Sequence, residues 1–153
     1  RLSPAERGYD QALWAMLDER LYWYAVHDRW LGDGWPAVYK TFFGSMPLPV
    51  RLMVKTFAQR SVRKQLWNQG TGRHDAEDIL AMAKRDIAAV ADILGDQTYI
   101  HGDQIRSIDA VVYGTMVNLI QVEIDTPTTR AARTHANLVA YVQRITDRYF
   151  SDI

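Results

Sequence analysis

Tyr99-Ile100-His101-Gly102-Asp103-Gln104-Ile105-Arg106-Ser107-Ile108-Asp109-Ala110 is an apolar-Gly-Asp loop that runs into a segment apolar nearly all round. In that segment, about 107–121, Ile108, Val111, Val112, Met116, Val117, Leu119 and Ile120 cover almost every face of a helix. A helix with no polar face must be surrounded by other elements, so this one is central and buried. Asp109 stands in its first turn. There a carboxylate accepts orphan backbone N–H groups and sits at the positive end of the helix dipole. The position assigns Asp109 a structural rather than a catalytic role.

The segments around this centre also read as helices. Ser3-Pro4-Ala5-Glu6 is a helix start, with Ser3 as N-cap, Pro4 first in the helix and Glu6 three residues on. Tyr9, Leu13, Leu17, Tyr24 and Leu31 then repeat at helical period, with Trp14 and Leu21 flanking, until Gly32-Asp33-Gly34-Trp35-Pro36 breaks the pattern. A short segment, 37–43, stops at Gly44-Ser45-Met46-Pro47. A third helix is expected over 49–69 with Leu52, Met53, Phe57, Val62 and Leu66 inward. Asp75 caps a fourth, with Ile79, Leu80, Ala83, Ile87, Val90 and Leu94 on one face and Gly95 as its stop. Pro127 marks a further break, and the last helix spans about 137–149 with Leu138, Tyr141, Val142, Ile145 and Tyr149 inward. No segment has the alternation of a strand. The expected fold is all-α, a single domain over 1–153 with six or seven helices.

Composition bounds the function. With 153 residues, 48% hydrophobic and 24% charged, the chain is an ordinary globular domain. It has no cysteine, which excludes disulfides, thiolate zinc sites and a thiol nucleophile in this chain. No apolar run is long enough to span a bilayer. Lys+Arg and Asp+Glu both number 18, so net charge gives no argument for nucleic acid. The distribution is uneven. From Gly34 to His74 there is no acid, while Lys40, Arg51, Lys55, Arg60, Arg63, Lys64 and Arg73 are all basic. Residues 74–110 are net acidic, so the basic segment either complements them within the fold or faces an anion or a partner. The chain begins at Arg1, and its first methionine, Met16, lies inside a periodic stretch. It is therefore expected to be a fragment or a processed product. Nothing near Arg1 has the pattern of a signal peptide.

No strong catalytic signature is present. Gly70-Thr71-Gly72-Arg73 follows a helix and lacks the spacing of a phosphate-binding loop. His27, His74, His101 and His135 form no i,i+3 or i,i+4 pair, so no metal is expected. The first helix is more informative. It carries Asp18, Tyr22 and Arg29 on a polar strip, and on another flank Met16, Trp23 and Trp30 bordered by Arg20 and His27. This second apolar face is either packed against other helices or forms the wall of a ligand pocket or a docking face. The candidate substrate-binding residues are therefore Met16, Arg20, Trp23, His27 and Trp30.

The loop and helix start at Tyr99–Ala110 resemble those that begin the central helix in the C-terminal domain of glutathione S-transferases. The wider pattern resembles the failed-axon-connections and metaxin-like branch of that superfamily. It comprises Leu21-Tyr22-Trp23, Asp28-Arg29-Trp30, Phe42-Phe43-Gly44, Gln69-Gly70-Thr71-Gly72-Arg73-His74, Asp109-Ala110-Val111-Val112-Tyr113-Gly114, Asn137-Leu138-Val139-Ala140-Tyr141 and Arg148-Tyr149-Phe150. The family's capping box has Ser or Thr three residues before the Asp, often after Pro; here those positions are Arg106 and Ile105. Ser107 is thus expected to cap in a shifted register, or the cap is weakened. Where the family has Pro before the last helix's Asn-Leu, this chain has Ala136.

The resemblance implies a helical C-terminal half that lines the acceptor-substrate side of a cleft and part of a homodimer interface in a cytoplasmic protein. The N-terminal thioredoxin-like domain is a missing partner, and glutathione is a ligand of the parent protein. This chain holds none of the family's catalytic Ser, Tyr or Cys groups, so it is expected to be inactive alone. The resemblance to metaxins implies an alternative: a non-enzymatic interaction or assembly module. No nucleic-acid partner and no membrane span are expected, from the balanced charge and the lack of a long apolar run.

Overall fold

A computed structural model describes residues 2–151. It is all-α: α1 (Pro4–Met16), a π turn (Leu17–Leu21), α2 (Tyr22–Trp30), α3 (Trp35–Phe43), α4 (Leu48–Gln69), a 3-10 turn (Thr71–Arg73), α5 (Ala76–Leu94), α6 (Ser107–Ile120), α7 (Pro127–Arg133) and α8 (Ala136–Tyr149). With α1, the π turn and α2 counted as one continuous rod, the described residues form seven helices. Pairing of strand type is limited among them to one isolated bridge, Tyr99 with Gly102.

α6 is the centre of the bundle, packed by α1, the π turn, α7 and α8. Val112 and Met116 have no exposed surface. α5 lies alongside α2, the π turn, α7 and α8 and contributes Ile79, Ala83, Ile87, Val90 and Leu94 to the same core. The start of α6 is fixed by Asp109, which is fully buried. Its Oδ2 accepts the Arg106 N–H at 2.8 Å, and its Oδ1 accepts the Ile100 N–H and the Tyr141 hydroxyl, each at 2.9 Å. The N-cap position falls on Arg106, whose side chain has no acceptor, so only the Asp109 half of a capping box exists. Ser107, expected to share the capping, is instead the first residue of the helix, and its side chain is exposed. Gly102, at φ 89°, closes the turn that presents Ile100; its N–H and C=O pair with Tyr99 at 3.1 and 2.8 Å.

The first rod departs from an ideal helix for a reason visible in its spacing. Leu13, Leu17 and Leu21 are all buried, at two successive steps of four. Each such step overshoots a straight α-helical line by about 40°. The wider i→i+5 turn at 17–21 takes that drift back and returns Leu21 to the core. Tyr9 and Trp14 are exposed instead of inward or flanking. The capping box at Ser3 and Glu6 is complete, with N–H to oxygen distances of 2.6 and 3.2 Å.

The inward face expected for the 49–69 helix holds only at its end. Leu66 is buried and Val62 half-buried, but Leu52, Met53 and Phe57 are exposed. The first half of α4 leans on α3, where Arg51 and Lys55 lie over the Tyr39 ring, and the second half reaches the body of the bundle at Leu66. There the Gln69-Gly70-Thr71-Gly72 motif acts as a staple. Gln69 Oε1 accepts both the N–H and the hydroxyl of buried Thr71, at 3.0 and 2.6 Å, while its Nε2 donates to the Glu19 carbonyl at 2.8 Å. At the other end of the chain, Asn137 Nδ2 donates to the carbonyls of Ala91 and Gly95, which satisfies the C-terminus of α5. Tyr149, expected inward, is exposed.

Replacing Asp109 removes the acceptor of three groups, two of which are backbone N–H. Asp109→Ala is expected to lower the unfolding free energy by about 2–4 kcal/mol, more than loss of a surface cap. Tyr141→Phe is expected to cost about 1 kcal/mol. Denaturant unfolding of both variants checks the order; an Asp109→Ala cost no larger than that of Tyr141→Phe would contradict it.

Candidate functional site

The polar strip of the first rod faces a cleft. The π turn and α2 contribute Leu17, Asp18, Leu21, Tyr22, Ala25 and Arg29, and α6 contributes Gly114, Thr115, Asn118 and Leu119 around about 230 Å³. The floor is leucine and alanine; the rim holds a carboxylate, a phenol, a guanidinium and an amide. Arg29 Nη2 donates to the Asn118 carbonyl and ties the two walls together at one end. Asn118 Nδ2 donates to the Gly114 carbonyl at 2.8 Å. Gly114 has open space where a Cβ would project, so the absence of a side chain there keeps the cleft wide. An apolar body with a polar or weakly charged end suits such a lining.

The five residues expected to form a wall on the other flank do not line one cavity. Met16 packs against the core. Arg20 pairs with Asp86 of α5 at 2.9 Å. Asp86 is almost fully buried, and burial holds its carboxyl above the usual range against the opposing pull of Arg20. Trp30 is half-buried in a cluster with Trp35, Phe42 and Phe43, at ring-centroid distances of 6.0, 6.1 and 6.5 Å. Trp23 is half-buried and meets Tyr22 edge-on at 5.3 Å. His27 is also half-buried; its Nδ1 is covered and has no hydrogen-bond partner. All five retain accessible surface, Arg20 the most, but Met16 and Arg20 also serve links inside the fold, to the core and to Asp86.

The neighbouring Asp28-Arg29-Trp30 motif is a set of ties to three different helices. Asp28 Oδ2 accepts the Thr128 N–H at the start of α7, at 2.9 Å. Arg29 reaches α6 and Trp30 reaches α3. Asp10 holds His101, Oδ1 to Nε2 at 2.6 Å, and fastens the 99–102 turn to α1. Among the described residues no group of three or more His, Asp or Glu side chains is placed to hold a metal ion. No helix among them is long and apolar enough to cross a membrane.

Residues 83–145 match the family model described as glutathione S-transferase, C-terminal domain. The chain is 29% identical over 151 residues to the isoprene-epoxide glutathione S-transferase of Rhodococcus sp. (strain AD45), covering 97% of this chain and 63% of that one. It is 27% identical over 157 residues to human metaxin-1, covering 95% of this chain and 34% of the relative. With human metaxin-2 the identity is 23% over 107 residues, 69% of this chain and 41% of the relative. The chain thus spans less than two thirds of the length of the curated relatives it matches. No solved structure matches. The matched region and the relatives agree with the superfamily and the metaxin-like branch that the motifs resemble.

Burial lowers the His27 pKa from the ordinary 6.5, against a smaller opposing pull from Asp28. Between the lowered folded value and 6.5 the unfolded chain binds more protons than the folded one. The stability that His27 contributes as a neutral ring is therefore complete above the unfolded value and is lost as pH falls. His27→Gln is expected to flatten the decline in unfolding free energy between about pH 7 and about pH 5. Urea titrations of both proteins across that range check it, and parallel profiles would show that His27 does not titrate differently on folding.

Proposed function

We propose that this chain is the helical half of a glutathione-transferase-like protein and that the cleft between the π turn and α6 is its acceptor-side wall. The observation that carries the reading is the cleft itself: an apolar floor, a polar rim and a glycine that leaves room in the facing helix. The match over residues 83–145 and the likeness to an isoprene-epoxide glutathione S-transferase support it. On this reading the thiol-activating groups and the glutathione site lie in a thioredoxin-like domain outside this chain. The half-exposed Trp23, His27 and Trp30 belong to the surface that meets that domain or a second copy. On this reading the protein is cytoplasmic, where glutathione chemistry operates.

The metaxin relatives favour a second reading, a non-enzymatic interaction module. The exposed apolar residues of α3 and α4 support that reading without conflicting with the cleft.

The test uses an apolar epoxide, styrene oxide, titrated into this chain and followed by amide NMR. Shifts are expected at Ala25, Gly114, Thr115 and Asn118. Gly114→Leu is expected to abolish them while holding or raising the melting temperature, because leucine is a better helix former than glycine by up to about 1 kcal/mol. Unchanged binding in Gly114→Leu would remove the cleft from the proposal. Glutathione consumption by this chain above a heat-killed control would show that the thiol-activating groups are not confined to another domain.

A further inference from the structure

The hairpin of α3 and α4 is where exposed apolar surface and unbalanced charge meet. Its loop end carries Phe42, Leu48, Leu52 and Met53, and Phe57 stands further along α4, with Met53 69% and Phe57 74% exposed. Large apolar side chains left in water on one element mark an interaction site. A step of about 100° per residue places Met53, Phe57, Arg60 and Lys64 along one outward line of α4. The two cations follow Phe57 by one and two turns, about 5 and 10 Å along the axis. On the other side of α4, Arg51 and Lys55 lie over the Tyr39 ring at 5.5 and 5.6 Å. The segment has no carboxylate between Gly34 and His74 to neutralise any of them.

The arrangement is an apolar apex with a basic collar. A two-fold pairing of this hairpin with a second copy would set one all-basic surface against another. A nucleic acid would use the cations but leave the apex in water. A surface that is anionic in its outer layer and apolar beneath it satisfies both parts at once. We propose that the α3–α4 hairpin is a peripheral membrane-binding element. Its apex enters the boundary between headgroups and acyl chains of an anionic bilayer, and Arg60, Lys64 and their neighbours rest on the headgroups. No residue of the proposed cleft takes part, so failure of the cleft reading leaves this inference standing.

The experiment is co-sedimentation of this chain with phosphatidylcholine vesicles containing roughly one third phosphatidylserine. Vesicles of phosphatidylcholine alone are run beside them. Binding to the anionic vesicles is expected, with little to the neutral ones and weakening at raised ionic strength. Arg60→Gln and Lys64→Gln are each expected to lower the partition coefficient by about fivefold. Phe57→Ser is expected to lower it by at least about tenfold. These side chains are exposed, and unchanged far-UV circular dichroism checks that the variants stay folded. Equal binding to neutral and anionic vesicles, or none to either, overturns the proposal. So does self-association abolished by Phe57→Ser without vesicle binding, which would assign the apex to a second copy. Binding of a duplex oligonucleotide that is insensitive to Phe57→Ser, in the absence of vesicle binding, also overturns it.

Discussion

The Asp109 carboxylate joins three parts of the chain at one buried point. It reaches the turn at Ile100, the N-cap of α6 at Arg106 and the middle of α8 at Tyr141. A carboxylate with no exposure is tolerable only because backbone and phenol donors replace its water. Burial and the neighbouring Asp109 push the Tyr141 hydroxyl up, so it remains a donor. Once α6 is placed, the other helices have a centre to pack on. Arg148 secures the same region from the far side by donating to the Tyr99 hydroxyl at 2.9 Å, and Asn137 caps α5.

The first rod performs two tasks with different sets of residues. Its leucines supply core, and the π turn keeps them in line. Its polar residues radiate: Arg20 to α5, Asp28 to α7 and Arg29 to α6. The cleft lies between these ties, so its width is set by rigid helices and not by a loop. A site bounded by helices on both sides is geometrically steady, which suits recognition of a small apolar molecule by shape.

The all-α class, the central helix, the caps at Ser3 and Asp75 and the structural character of Asp109 were legible in the sequence because each depends on near neighbours. Period, caps and glycine stops are local physics. The π turn was announced by the successive four-residue spacings of Leu13, Leu17 and Leu21, a signal that a strict 100° wheel averages away. The inward face given to α4 failed because periodicity says that a helix has an apolar side, not that another element exists to cover it. The site was less legible. Arg20 and Trp30 read as wall residues until their partners, Asp86 and the α3 rings, were known, and those partners lie on other helices. The cleft needs α6 beside the π turn, a juxtaposition that no spacing within either segment encodes.

The way α4 is attached has a consequence for how the molecule breathes. Leu66 and Gln69 bind its far end to the body, and Gln59 adds one hydrogen bond to the Trp30 carbonyl at 3.2 Å. The near end leans on α3 through Arg51 and Lys55 over Tyr39. Such a lever opens at far smaller free-energy cost than the six-helix body from which it extends, and its amides should exchange with solvent as one unit, well ahead of those in α6. Mutational drift in the tip is then decoupled from the fate of the core. The hairpin can change its chemistry over evolutionary time while the bundle that carries it stays the same.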